Sequence, residues 1–321
     1  MNVGGVPRAR ATTAPERVDA LPDVSVVLPT YDRLPLLKQA IGSVEAQHFA
    51  SWELLVVDDG STDGTAEYVR GLGDPRIELV VLPHGGNVAR ARNAGLRAAR
   101  GRYVAFLDSD DLWLPGKLAV QLKEMTNAHV RWSYTGYDLI DLKGCDVRRR
   151  AGSWQPRAGH IAARILTTEV GVAVSTLMVE RGLLESVGPF DEDPALNLRE
   201  DYELVLRLAV AAEAGVVPET LVRIREHEGR ATHGRDDAFE RTARVYAAFM
   251  RTCPDPRLRR IAERRRAYHL AEAGAEQLRR GAWASAARFY LAALRSGVGL
   301  GQWLSAARRG VTGAFSRRGV P

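Results

Sequence analysis

Three short stretches place acidic side chains where an apolar run stops: Thr30-Tyr31-Asp32, Asp58-Asp59-Gly60-Ser61 and Asp108-Ser109-Asp110-Asp111. An Asp-x-Asp turn presents two carboxylates a few ångström apart. Mg2+ and Mn2+ take such hard oxygen ligands, and Mg2+ typically uses one or two carboxylates plus substrate phosphates. Asp108 and Asp110 are therefore the first metal-ligand candidates. So many carboxylates would repel a bare pyrophosphate, whereas a cation between them would attract it. Each cluster also has a plainer use. An Asp-x-Asp-Asp turn commonly caps a helix or sits in solvent, and Asp and Ser favour turn hydrogen bonds. The combination of three, each closing an apolar run, favours a metal–diphosphate site.

Such a site needs strands beneath it. Residues 24–29 (VSVVLP), 52–57 (WELLVV), 77–82 (IELVVL) and 103–107 (YVAFL) are apolar runs suited to strands buried on both faces of a parallel sheet. Helical spacing recurs between them, over 34–47, 65–71 and 87–100. The alternation predicts an α/β domain with a Rossmann-like, mostly parallel central sheet flanked by helices. Ligands in such sheets sit beyond the carboxyl ends of the strands, so the acidic clusters converge on one edge. No glycine follows the first strand, which runs into Pro29-Thr30-Tyr31-Asp32-Arg33, so the dinucleotide fingerprint is missing.

The second half is less regular. Residues 130–141 read as strand, turn, strand; 148–158 as an exposed loop; 172–179 as a strand; and 180–187 as a short helix stopped by Gly188-Pro189. An amphipathic helix over 200–214 and a strand over 220–226 follow. From residue 236 the periodicity is helical only, over 237–251, 257–280, 283–296 and 300–315. Residues 274–294 resemble a helical hairpin of tetratricopeptide type. One such unit cannot bury its own face, so it is expected to pack on the body.

The 321 residues are 45% apolar and 26% charged, an ordinary globular composition that excludes a fibre or a disordered chain. Cys145 and Cys253 lie far apart and outside any Cys/His cluster, which argues against a disulfide framework and a structural zinc. No apolar run approaches the ~18 residues of a membrane span. Residues 1–22 read as a flexible leader without an apolar signal segment, so a cytoplasmic location is the expectation. The net charge of +6 hides an asymmetry: residues 241–321 hold 17 arginines against four acids, and the preceding chain is net acidic.

Seven blocks, in order, resemble those of family 2 glycosyltransferases: VSVVLPTYDR (24–33), DDGSTDGT (58–65), ARNAG (91–95), GRYVAFLDSDD (101–111), STLMVERGLLESVGPFD (175–191), REDYELVLRLA (199–209) and REHEG (225–229). The resemblance covers about residues 23–235. It implies a GT-A fold, with a nucleotide-binding half over about 23–112 and an acceptor half over about 113–235, to which the helical periodicity adds a basic C-terminal all-helical extension over 236–321. It also implies transfer of one sugar, with inversion, from a nucleotide-diphosphate sugar to an acceptor hydroxyl. The acceptor would be a glycan, a lipid-linked species or a small molecule, in polysaccharide or cell-wall glycan biosynthesis. The QxxRW motif of processive synthases is absent, which points to single additions.

The resemblance assigns roles as well. Pro29, Thr30, Tyr31, Asp32 and Ser109 would line the nucleotide pocket, and Asp58 or Asp59 would hold the base or ribose. Arg92, in preference to Arg90, would face the diphosphate, and either arginine could equally be a surface charge on a helix. Asp108 and Asp110 match the metal-binding DXD, and His227 matches a histidine that some members place near the metal. A neutral imidazole suits Mn2+ as a further ligand; a solvated histidine between Glu226 and Glu228 is the plainer alternative. Glu200-Asp201 matches the family's acidic pair, with Asp201 as general base. The physical needs are a cation that stabilises charge on the departing diphosphate and a carboxylate that takes the acceptor's proton. Acids in the first turn of a helix are also routine, through the helix dipole. Trp132, Tyr134 and Tyr137 could stack on a sugar, but packing is the commoner use of aromatics on a half-buried strand.

Residues 299–318 combine Leu300, Trp303, Leu304, Val311 and Phe315 at helical spacing with Arg308, Arg309, Arg317 and Arg318. That pattern describes an interfacial helix on the inner leaflet of the plasma membrane, or a tail packed on the body with solvated arginines. The second is favoured, because Arg outnumbers Lys 41 to 4, a bias that nucleotide composition alone can produce. No nucleic-acid motif accompanies the basic tail, so no nucleic-acid partner is expected. A competing reading is a catalytically inactive nucleotide-sugar-binding module whose helical tail is the working part.

Overall fold

The computed structural model describes residues 21–147, 156–228 and 237–296. The leader, most of the loop expected at 148–158 and the helix expected at 300–315 lie outside the described residues.

Four apolar runs become β1 (Val24–Thr30), β2 (Trp52–Asp58), β3 (Ile77–Val81) and β4 (Tyr103–Phe106). They pair in parallel, in the order β3-β2-β1-β4. Every residue of β1, β2 and β4 is buried, as strands covered on both faces must be. Helices α1 (Leu34–Glu45), α2 (Thr65–Gly71) and α3 (Val88–Ala98) make the crossovers. Gly95 of α3 lets the helix lie close on the sheet, since a Cβ there would stand 2.5 Å from Val27 Cγ1. Asn87 caps α3, its side-chain oxygen accepting from the backbone N–H of Ala89 at 3.0 Å.

The sheet continues without a break. Next to β4 runs β7 (Met178–Glu180), antiparallel, then β6 (Trp132–Ile140), β8 (Ala214–Arg225) and the two-residue β5 (Leu112–Trp113), giving eight strands in the order β3-β2-β1-β4-β7-β6-β8-β5. Strands β6 and β8 pair in parallel along the longest ladder of this half, and the short β7 and β5 supply the antiparallel pairs, so the sheet is mostly parallel.

Several expectations change here. The strand–turn–strand reading of 130–141 is one strand, β6. Its glycine marks a bulge where β8 comes close, because a Cβ at Gly136 would stand 2.8 Å from Glu219 O and the register shifts on both sides of Gly136. The strand expected over 172–179 is a 3-10 turn, Val174–Thr176, followed by the short β7. Thr176 donates its hydroxyl to the carbonyl of Ala173, a local bond that competes with a ladder, and Ser175 donates its hydroxyl to the distant Asp111. Strand β8 starts at Ala214, earlier than expected. The remaining helices are α4 (Lys117–Asn127), α5 (Ala162–Leu166), α6 (Arg181–Val187), α7 (Glu200–Ala211), α8 (Ala238–Thr252), α9 (Pro256–Arg279) and α10 (Trp283–Arg295).

Two cores sandwich the sheet. On one face Leu37, Ile41 and Leu118 of α1 and α4 meet Val26 and Leu28. On the other, Ala91, Leu204 and Val245 of α3, α7 and α8 join the core of Val27 and Val57. Each fully buried aliphatic side chain contributes about 1.5–3 kcal/mol. Helices α9 and α10 form the hairpin expected from the sequence, with Tyr290 stacked against Gly274, and α9 packs on α5 and α8. Among the described residues no helix is long and apolar enough to cross a membrane.

Candidate active site

Beyond the carboxyl ends of β1, β2 and β4 lies a cleft of about 310 Å3. Pro29, Thr30 and Tyr31 line it from β1, Asp59 from the turn after β2, and Asp108, Ser109 and Asp110 from the turn after β4. Arg92 of α3 and Glu200 and Asp201 of α7 line it as well. Asp32, Asp58 and His227 do not line the cleft. Asp32 accepts from the backbone N–H of Thr62 at 2.7 Å, in a backbone of φ 44°. Asp58 is buried in its own turn, accepting from the N–H and hydroxyl of Ser61 at 2.9 and 2.5 Å. Of the pair left open by the sequence, Asp59 is thus the one at the cleft. Its carboxylate accepts from Gly85 and Gly86 N–H groups at 3.1 and 2.9 Å, which fixes the loop leading into α3.

Sequence reasoning missed Arg33, His84, Asn87, Asn197 and Leu198, which also line the cleft. The rings of His84 and Tyr31 stack with centroids 4.0 Å apart, and Tyr31 remains 42% exposed. The helix-capping position of Asn87 was a readable signal; the others come from loops whose place in space no local pattern announces.

Arg92 is the electrostatic hub. Its guanidinium donates to Asp108 Oδ1 at 2.7 Å through one nitrogen and to Glu200 through the other. Burial opposes its charge, but Asp108 and Glu200 outweigh burial and hold its pKa above the ordinary value. Burial pushes Glu200 up, Arg92 offsets part of that, and neighbouring Asp201 adds to the rise. Arg92 reaches the cleft wall, yet both terminal nitrogens are committed to carboxylates. Its Nε and Glu200 Oε2 find no partner among the described residues.

Asp201 stands at the start of α7, where the helix dipole favours negative charge. One carboxylate oxygen accepts from the Tyr202 N–H at 2.7 Å, and the other lies outside that bond.

Oxygens of Asp108, Asp110 and Asp111 lie within 4.8 Å of one another. Three hard oxygen donors so placed fit a divalent cation. They are not equivalent. Asp111 is buried, accepting from Ser175 Oγ at 2.6 Å and from the Arg225 N–H at 3.0 Å; burial, then Asp110 and Asp108, push its carboxyl well up. Asp108 and Asp110 are the two that reach the cleft. Asp110 Oδ2 also meets Arg33 at 2.7 Å and His227 Nε2 at 3.2 Å, so His227 is a buried neighbour of the cluster rather than a solvated histidine.

Residues 25–187 match the family model described as Glycosyl transferase family 2. The chain is similar to the UDP-Glc:alpha-D-GlcNAc-diphosphoundecaprenol beta-1,3-glucosyltransferase WfgD of Escherichia coli, with 40% identity over 185 residues, 58% of this chain and 69% of that one. It is also similar to the putative teichuronic acid biosynthesis glycosyltransferase TuaG of Bacillus subtilis, with 42% identity over 189 residues, 58% and 72% of the two chains. Among solved structures, S. aureus TarS 1-349 in complex with UDP-GlcNAc superposes with a TM-score of 0.62 at 19% identity, covering 92% of this chain and 82% of that one. The mannosyltransferase PcManGT of Pyrobaculum calidifontis, in complex with GDP-Man and Mn2+, gives 0.57 at 23% identity, covering 94% and 81%. Against the longer TarS structure the chain spans half the length.

Proposed function

Because the chain belongs to glycosyl transferase family 2 and is a glycosyltransferase of GT-A fold, we propose that it moves one sugar, with inversion, from a nucleotide-diphosphate sugar to an acceptor hydroxyl. The observation that carries the reading is one cleft holding both the Asp108–Asp110 pair and the Glu200–Asp201 pair. WfgD, named for a UDP-Glc donor and a diphosphoundecaprenol-linked acceptor, supports a nucleotide sugar and a lipid-linked glycan as substrates here. The complexes with UDP-GlcNAc and with GDP-Man and Mn2+ support the donor class and a metal.

Tyr31 offers the nucleobase an exposed aromatic face, and the buried Thr30 hydroxyl, with no partner among the described residues, is available to the nucleoside. Asp108 and Asp110 would hold Mg2+ or Mn2+, with His227 the nearest imidazole. The bound cation would offset the charge that develops on the departing diphosphate. The acceptor oxygen attacks the anomeric carbon, and the bond from that carbon to the diphosphate oxygen breaks. The nucleoside diphosphate leaves with the electron pair, and the acceptor proton passes to Asp201. Asp201 is suited to this because one oxygen is fixed by the Tyr202 N–H while the second is left to take the proton.

A thermal-shift series with UDP and GDP, each with and without Mn2+, tests the donor site. Stabilisation of about 2.7 kcal/mol is expected at a hundredfold excess over Kd, only when metal and diphosphate are both present. It should vanish in Asp110→Ala. Stabilisation by nucleotide without metal would count against the site.

The proposal includes peripheral contact with the inner membrane leaflet, where a lipid-linked acceptor resides. On α10, Trp283, Leu291 and Leu294 are 54, 53 and 41% exposed. Helical spacing sets them with Ala287 on one stripe, bordered by Arg288 and Arg295. Residues 277–321 contain eight arginines and no acid, which complements an anionic surface. Flotation with phosphatidylglycerol vesicles at low salt is expected, with none on phosphatidylcholine and about a fivefold loss of partition per arginine removed. Unchanged flotation in a Trp283→Ser, Leu291→Ser variant would remove α10 from the contact, and no flotation at low salt would end the idea.

A further inference from the structure

The segment between α6 and α7 forms part of the cleft wall and leads straight into Glu200-Asp201. It is tied on the nucleotide side by Asn197 Nδ2 to Gly86 O at 3.0 Å and by Asn87 Nδ2 to Glu192 O at 2.9 Å. Leu198, which lines the cleft, adopts a φ of 69°, a left-handed conformation that a branched side chain holds only when its surroundings impose it.

The restraint from outside comes from the helical C-terminal region. Arg241, in the first turns of α8, donates through Nη1 to Asn197 O at 2.7 Å and reaches Pro194 O at 3.5 Å; its Nε donates to Asp237 at 2.7 Å. One turn further on, the Tyr246 hydroxyl meets the Tyr202 hydroxyl at 3.1 Å, beside Asp201, and donates to Leu166 O at 3.3 Å. Helix α8 therefore grips both the loop that precedes the acidic pair and the residue that follows it.

We infer that α8 is a working part of the transfer site, with Arg241 a positioning residue that sets where Leu198 and Asp201 face the acceptor. The inference rests on the sugar-transfer reading and deepens it. Helices at the C-terminal end of the chain then contribute to turnover without touching the donor, because Arg241 acts on a backbone carbonyl one residue before the strained Leu198. A displacement of about 1 Å at a reacting group can cost about a hundredfold in rate, so losing this carbonyl anchor is enough to matter.

The test compares Arg241→Ala, Arg241→Lys and Tyr246→Phe in the full chain. In Arg241→Ala, hydrogen exchange of the amides at 197–202 should rise, while the thermal shift given by UDP with Mn2+ stays at the wild-type value. Hydrolysis of UDP-glucose with Mn2+, water serving as acceptor, should lose about tenfold in kcat with KM for UDP-glucose unchanged. Arg241→Lys should recover part of the loss by donating to Asn197 O, and Tyr246→Phe, which removes one hydroxyl, should raise exchange at Tyr202 alone. Unchanged exchange at 197–202, or a loss of UDP binding in proportion to the loss of rate, would overturn the inference. Failure of the wild-type chain to hydrolyse UDP-glucose would fall on the sugar-transfer reading instead, and the exchange experiment would still decide the role of Arg241.

Discussion

Asp201→Asn is expected to lower sugar transfer by about 10^2–10^4-fold, the usual contribution of a positioned general base, while the protein stays folded. The amide keeps the size of the side chain and keeps an oxygen for the Tyr202 N–H at 2.7 Å, so the start of α7 retains its geometry. It also removes a negative charge that presses on the buried Glu200. The melting temperature should therefore stay level or rise slightly. Binding of UDP with Mn2+ should be unaffected, because the donor side of the cleft is untouched. Initial rates with a nucleotide sugar, beside a melting curve of the same preparation, check this. A rate within tenfold of wild type would move the base elsewhere in the cleft.

The second large effect lies behind the first. Arg92→Met should destabilise the fold by about 3–5 kcal/mol, the cost of removing one partner from a buried ion pair, on the order of ten degrees in Tm. The reason is what remains. The Arg92 and Glu200 side chains are 4 and 2% exposed, and without the guanidinium the Glu200 carboxylate is left buried beside Asp201 with nothing opposite. Losing Arg92 would push the Glu200 carboxyl further up, and Asp108 would lose the donor that holds its Oδ1. Arg92→Lys should recover little, because one ammonium cannot serve two carboxylates held by a planar fork. The double variant Arg92→Met, Glu200→Met should regain stability relative to Arg92→Met, since no orphan charge remains at that pair, and yet stay inactive. Chemical denaturation of the four proteins reads this directly. Equal stability of Arg92→Met and wild type would show that the network does not hold the site together.

The first four strands were legible for a physical reason. Strands β1, β2 and β4 are buried on both faces, so they read as unbroken apolar runs, and the acidic clusters stop them where the chain leaves the sheet. Helix α4 escaped because its buried face carries Lys117 and Gln121 beside Leu118 and Met125, so the apolar stripe is interrupted. Lys117 lies with its ammonium nitrogen 3.9 Å from the Trp113 ring, and burial pushes its pKa well below the ordinary value, an arrangement no hydropathy pattern encodes. Strand β5 has two residues, too few for any periodicity.

At the site, residue types were readable and partners were not. Arg92 and Glu200 are 108 positions apart. Nothing local in either segment says that they meet, so the two carboxylates on Arg92 were not readable beside its expected place at the diphosphate or on the surface. In the same way Asp58 and Asp59 are adjacent in a turn whose rotation decides which one reaches the cleft. Asp110 and Asp111 are neighbours in the turn after β4, which sends one toward Arg33 and the other toward Ser175.

Strand β4 is zipped to β7, so the strands before and after it belong to a single sheet. Swinging one half of the sheet over the other would tear the backbone hydrogen bonds between β4 and β7, so among the described residues the sheet itself offers no hinge. Among the described residues, any closure over the cleft would fall to loops such as 84–87 and 191–199, whose side chains line it.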